Sequence, residues 1–364
     1  MVFVGLFLAL FVWSHVVFAE DREPRIPDPS ADTAQAAASS KDEAQKKSPR
    51  QAETSLASGR REAGKRYIDA AELAQGDGHF LLAETIYRKG IDLLQQTAVA
   101  HDLELTRGLD DMGWMYVTWG KLLHGSRLIS EASATAEGAP PDDPRLIRHL
   151  DVQAAYAVVV GRYSLAERCW KKALAVKEAR FGPGSPIYAE ILLHFGQGSA
   201  AFGDYSAAEG LLQNYLQIAT EDQRKALSNR VAAQAELGHI CLLQHRFSEA
   251  KSWFDEASAT VRKQTETEPL IRSIVLSYSG DLYMVTRQWE NARERYLQAL
   301  ELQQSVLGEN RAVAQSMLSL SKALEKLHLK NDARNLMAQA KAILAKDAKP
   351  LQGSTIDVLA FRRQ

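Results

Sequence analysis

From about residue 63 to residue 346, apolar residues recur at three- and four-residue intervals with almost no β-branched alternation, a pattern that predicts helix throughout. In GRYSLAERCWKKALAVKEARF (161–181), Tyr163, Ala166, Trp170, Ala173 and Leu174 fall on one helical face. The same stripe returns down the chain. Positions equivalent to Tyr163 are Phe80, Leu122, Tyr205, Phe247, Trp289 and finally Lys330, at steps of 41 or 42 residues. Three residues on, each unit carries a small residue: Ala83, Gly125, Ala166, Ala208, Ala250, Ala292 and Ala333. Seven on, it carries a bulky one: Tyr87, Ile129, Trp170, Leu212, Phe254, Tyr296 and Met337. Nine before, it is small again: Ala71, Gly113, Ala154, Gly196, Gly238, Gly280 and Ser321.

Small residues on two consecutive helices let antiparallel backbones approach closely, and the bulky residue fills the space beside that contact. One such hairpin cannot bury its own apolar faces, so neighbours must stack. The expected fold is an all-α solenoid of about seven stacked antiparallel helix pairs.

The residues also carry a family resemblance. GRYSLAERCWKKALAV (161–176), GDYSAAEGLLQNYLQI (203–218) and RQWENARERYLQALELQQSVLG (287–308) resemble tetratricopeptide repeats. The 42-residue period, with joints such as FGPGSPIYAEIL (181–192) and LGENRAVAQSML (307–318), is similar to the kinesin-light-chain-like subclass rather than the 34-residue form. The resemblance covers about residues 63–346 and implies a right-handed superhelix whose concave face takes a protein or peptide partner. The ends depart from the pattern: Gly90 stands where later repeats mostly carry Ala, and Lys330 replaces the aromatic, as capping repeats with a more polar face require.

Composition narrows the function classes. The 364 residues have a formal net charge of −1, so no global field favours nucleic acid or an anionic membrane. Two cysteines, Cys169 and Cys241, exclude a disulfide scaffold and a cysteine-built zinc site; lying two repeats apart, they read as buried free thiols. The first 19 residues, MVFVGLFLALFVWSHVVFA, are almost wholly apolar and are followed at once by acidic residues, so they resemble a secretory signal peptide cleaved after Ala19. An uncleaved membrane anchor is the alternative, although the apolar run is short and holds Ser14 and His15. Either reading places the remainder outside the cytoplasm, periplasmic or extracellular. Residues 20–62 are rich in Ala, Ser, Pro and mixed charge, and read as a disordered linker. The tail, 347–364, reads as a cap over the last repeat or a frayed end.

No constellation points to catalysis, a cofactor or a metal. FGPGSP lacks the Lys-Ser/Thr of a phosphate-binding loop, and no strand precedes it; it reads as a joint between units. Asp110 and Asp111 are adjacent on a helix, point about 100° apart and do not converge, so they read as a solvated or groove face. The nine histidines show no i, i+4 pair. The expected function is therefore a non-catalytic exported scaffold, and the alternative is a structural or assembly protein acting through self-association. By repeat phase, the groove is lined by Arg107, Asp110, Trp114 and Val117, then Arg148 and Asp151, then Gln197, His239 and Asp281. Trp114 with Arg107 and Arg148 is the candidate hot spot, unless these residues serve inter-repeat packing instead. No Asn falls on these positions, which argues against the carboxylate-clamp mode of binding.

Overall fold

The computed structural model describes residues 49–76, 79–143, 145–219, 224–263 and 269–347. Among them are fourteen α-helices and no strand. In chain order the helices are α1 (Pro49–Gly76), α2 (Phe80–Gln95), α3 (Leu103–Thr118), α4 (Leu122–Ala136), α5 (Leu146–Val159), α6 (Tyr163–Phe181) and α7 (Pro186–Ala201). There follow α8 (Tyr205–Ile218), α9 (Arg224–Leu243), α10 (Phe247–Lys263), α11 (Pro269–Val285), α12 (Trp289–Leu307), α13 (Arg311–Lys326) and α14 (Lys330–Asp347). They pair as seven hairpins, each packed most heavily within itself. From α1 to α11, first helices also touch first helices of adjacent pairs, whereas second helices make no comparable contact with one another. The first helices therefore form the inner layer of an α-solenoid and the second helices its outer layer.

The repeating rows of the sequence are the core of this solenoid. Each anchor, from Phe80 to Lys330, is the first residue of its pair's second helix. The small rows are buried throughout, and so is the bulky row except for half-buried Met337. In the second pair both small residues are glycine, and a Cβ on Gly125 would stand 2.6 Å from the Gly113 carbonyl, so the two backbones meet there with no room for a side chain. The departure at Gly90 has the same cause: a Cβ there would lie 3.0 Å from the carbonyl of Gly64.

All seven first helices end alike. The N–H three residues beyond the last helical residue bonds back five residues: His79 to Ala74, Lys121 to Tyr116, Arg162 to Ala157, Asp204 to Ser199, Arg246 to Cys241, Gln288 to Tyr283 and Leu329 to Leu324, at 2.7–3.0 Å. This is the Schellman closure, and it needs a left-handed residue just before it. Gly120, Gly161 and Gly203 supply that conformation in the early pairs; His245, Arg287 and His328 are forced into it later, at φ of 61–64°. The FGPGSP stretch is a joint, as its composition predicts. Gly182 (φ 78°) ends α6, and the Ser185 hydroxyl accepts from the Tyr188 N–H at 3.1 Å to start α7.

Two expectations change. Residues 49–62, read from composition as part of a disordered linker, are the first half of α1. The segment is rich in Ala, Glu, Gln and Arg, all good helix formers, and Arg61 anchors it through a fork to Asp102 at 2.6 Å on both arms. Burial works against the Asp102 charge, but Arg61 and the Leu105 and Val99 amides outweigh it and hold the carboxyl below its usual range. The second change concerns the inner face, described below. Residues 1–19, the linker up to residue 48 and the tail from residue 348 lie outside the described residues. Among the described residues no helix is long and apolar enough to cross a membrane, and Cys169 and Cys241 are buried free thiols.

Candidate functional site

The inner layer is a ladder of polar contacts between successive first helices. At its N-terminal end, Arg148 on α5 donates through Nε to Asp111 Oδ1 of α3 (2.7 Å) and through Nη2 to Glu72 Oε1 of α1 (2.5 Å). Arg107 on α3 donates to Glu72 Oε2 at 3.1 Å and also to Asp69. Three helices are thus tied by two guanidinium groups and three carboxylates, one more acid than base. Burial pushes the Glu72 carboxyl up to about 8, with Arg148 opposing and Asp111 adding to the rise. Burial works against the charge on both arginines, but the surrounding acids hold them protonated above their ordinary range.

The ladder continues with acid–histidine pairs. His149 Nδ1 lies 2.8 Å from Asp110 Oδ2, joining α5 to α3. Asp151 accepts from Trp170 Nε1 at 2.8 Å and meets His194 Nδ1 of α7 at 2.6 Å. Further on, the Tyr278 hydroxyl of α11 donates to Glu236 of α9 at 3.1 Å, with His239 stacked on the Tyr278 ring at 4.1 Å. The Tyr296 hydroxyl donates to Asp281 at 2.5 Å. Burial pushes Asp110 and Asp281 above the usual carboxylate range, against the effect of those partners.

One rung is open. Gln197 on α7, at the midpoint of the solenoid, is only 1% exposed, and neither its amide nitrogen nor its amide oxygen has a hydrogen-bond partner. An unpaired buried amide is unfavourable by roughly 1–3 kcal/mol per group, so this position is built for a partner or a water.

The sequence-predicted residues do lie on the inner helices, but most do not face solvent. Trp114 and Val117, read as an exposed hot spot and its neighbour, are 1% and 2% exposed and belong to the core shared by the second and third pairs. Asp110 and Asp111, read as a solvated or groove face, are buried and divide between His149 and Arg148. Asp151 and Gln197 are also buried, and His239 and Asp281 are mostly covered. Arg107 and Arg148 keep about a quarter of their side chains accessible, with their guanidinium groups engaged. The reason is curvature: repeat phase sets the direction of a side chain, whereas the tightness of the superhelix sets whether the next first helix covers it. Sequence reasoning missed Glu72, which lies in the same phase as Trp114 one repeat earlier, and His149 and His194, which carry no motif.

This geometry is that of a repeat protein. The family pattern described as Tetratricopeptide repeat matches residues 271–346. No curated protein matches the chain. Among solved structures, Rap protein complexed with competence and sporulation factor is 18% identical, with 80% of this chain and 76% of that one covered at a TM-score of 0.56. NprR in complex with its cognate peptide NprX is 13% identical, covering 82% and 87% at a TM-score of 0.52. The TPR-like repeats of a candidate kinesin light chain of Podosopora anserina are 21% identical, covering 57% and 96% at a TM-score of 0.43. At these identities the likeness is one of fold.

Proposed function

We propose that this chain is a non-catalytic exported scaffold that binds an extended peptide or protein segment along the inner face of its solenoid. The observation that carries the proposal is Gln197: a buried side-chain amide on an inner helix whose donor and acceptor both lack a hydrogen-bond partner, whereas at Asp110 and Ser277 a single oxygen does. A peptide bond offers the complementary acceptor and donor. The likeness of fold to Rap and NprR, each solved with a bound factor or peptide, supports the class of ligand. Export rests on the apolar leader-like run up to Ala19, with membrane anchoring as the alternative. The test pairs a panel of extended peptides with Gln197→Met. Binding should be seen with the wild-type chain and lost in the variant, whose thermal stability should be unchanged or raised. A panel with no binder, or a variant that binds equally well, overturns the reading. Mass spectrometry of the mature N-terminus tests export, with Glu20 as the expected first residue.

A second reading, a structural or assembly role through self-association, has its own observation. The turns within the hairpins all lie on one edge of the solenoid, and Leu122, Leu123, Val160, Phe202, Phe247, Val285 and Leu329 are exposed there. Sedimentation velocity decides this reading, because a concentration-independent monomer removes it.

A further inference from the structure

The superhelix closes on itself at one point. The joint between α12 and α13 reaches back across 192 residues of chain to the end of α3, where Asn310 Nδ2 donates to the Thr118 carbonyl at 3.4 Å. Asn310 is 6% exposed, and its other amide atom, Oδ1, caps α13 by accepting from the Ala312 N–H at 2.8 Å. Leu307, three residues earlier, packs against the core of the first two pairs as well as the cores of the fifth-to-sixth and sixth-to-seventh pairs. The corresponding residue of the third pair, Phe181, also precedes a positive-φ glycine and is 41% exposed, so Leu307 is covered because of where the chain has brought it and not because of its position in the repeat.

We propose that the Leu307–Asn310 joint is a latch that fixes the pitch of the superhelix and thereby holds the inner face closed. The inner helices can cover Gln197, Val158 and Val117 only while successive pairs keep their tight curvature, and a contact between the two ends of a turn opposes any widening. The contact sets one short joint against one helix end, so it opens at far less free energy than the core. This reading rests on the inner face being the binding face, and it assigns to that face a closed state that must open before a chain segment can enter.

The test uses the full chain with both buried cysteines replaced by alanine and spin labels at Ser305 and Leu123, two exposed positions on either side of the latch. The unmodified latch should give one narrow distance distribution. Asn310→Ser, which keeps a capping oxygen and loses the Nδ2 donor, and Leu307→Asp should each broaden the distribution and lengthen its mean. In a parallel chain carrying Gln197→Cys, the same substitutions should speed thiol modification by about tenfold, the factor that a contact of ~1.4 kcal/mol produces in an opening equilibrium. Circular dichroism confirms that each variant remains helical, and Asn310→Ser carries the test if Leu307→Asp does not fold. Unchanged distances overturn the latch. Longer distances with an unchanged modification rate overturn its control of the inner face. Neither outcome touches the peptide-binding reading, which fails only on the Gln197→Met comparison.

Discussion

Arg148 and Glu72 meet at 2.5 Å although 76 residues separate them, so one hydrogen bond holds the first and third helix pairs in register across the second. Glu72 is nearly fully buried, and its carboxyl is pushed up to about 8 from an ordinary 4.5. The folded chain therefore binds more protons at this site than the unfolded chain between those values. The associated stability is fully present below pH 4.5 and is lost as pH rises through about 8. Glu72→Gln should flatten that decline. Urea denaturation of both proteins across this window is the measurement, and parallel curves would exclude Glu72 as the group responsible.

Removing the guanidinium instead leaves the buried Glu72 and Asp111 side chains without the donor they share. Arg148→Met should destabilise the chain by roughly 2–3 kcal/mol, below the full figure for a buried pair because about a quarter of the arginine side chain is exposed. Adding Asp111→Asn should recover part of the loss. A double-mutant cycle checks this, and simple additivity of the two substitutions would argue against coupling.

Trp114 was legible as a residue of the inner helices but not as a core residue. The 42-residue period fixes the three buried rows, the start of every second helix and the seven-pair count, because those depend on packing inside one hairpin and against its neighbour. Exposure along the inner face depends on superhelical curvature, which sums small rotations over the pairs and has no local sequence signal. The helical start at Pro49 was hidden for a different reason: residues 49–62 carry few apolar residues, and their order comes from helix propensity, Arg61 and the Gly64–Gly90 approach. Trp114→Ala should accordingly cost roughly 3–5 kcal/mol of stability by leaving a cavity. A variant with unchanged stability would mean that Trp114 is a surface residue after all.

Arg287 is exposed and held at φ 61° where the equivalent turns of the second, third and fourth pairs carry glycine. Arg287→Gly should raise stability by about 0.5–1 kcal/mol, since the left-handed strain of a β-carbon exceeds the added freedom of glycine in the unfolded chain. Gly161→Ala, at the corresponding turn of the third pair, should lower it by a similar amount. Denaturant midpoints with unchanged slopes would read both shifts as changes in stability alone.

Trp170 shows how one pair is fitted to the next. Its indole donates to Asp151 within its own hairpin, stacks on Phe195 of α7 at 5.3 Å, and fills the space where a side chain on Gly198 would be: a Cβ there would lie 2.1 Å from the ring. The ring is held by its hydrogen bond and cannot swing aside, so Gly198→Ala should overpack the interface and destabilise the chain by about 1–3 kcal/mol. Trp170→Leu alone should also destabilise, through the cavity it leaves and the Asp151 acceptor it strands. In combination the alanine methyl enters that cavity, so the double variant should be more stable than the sum of the single losses predicts. Thermal unfolding of the four proteins measures the coupling, and an additive cycle would mean that the fit between the third and fourth pairs does not depend on this contact.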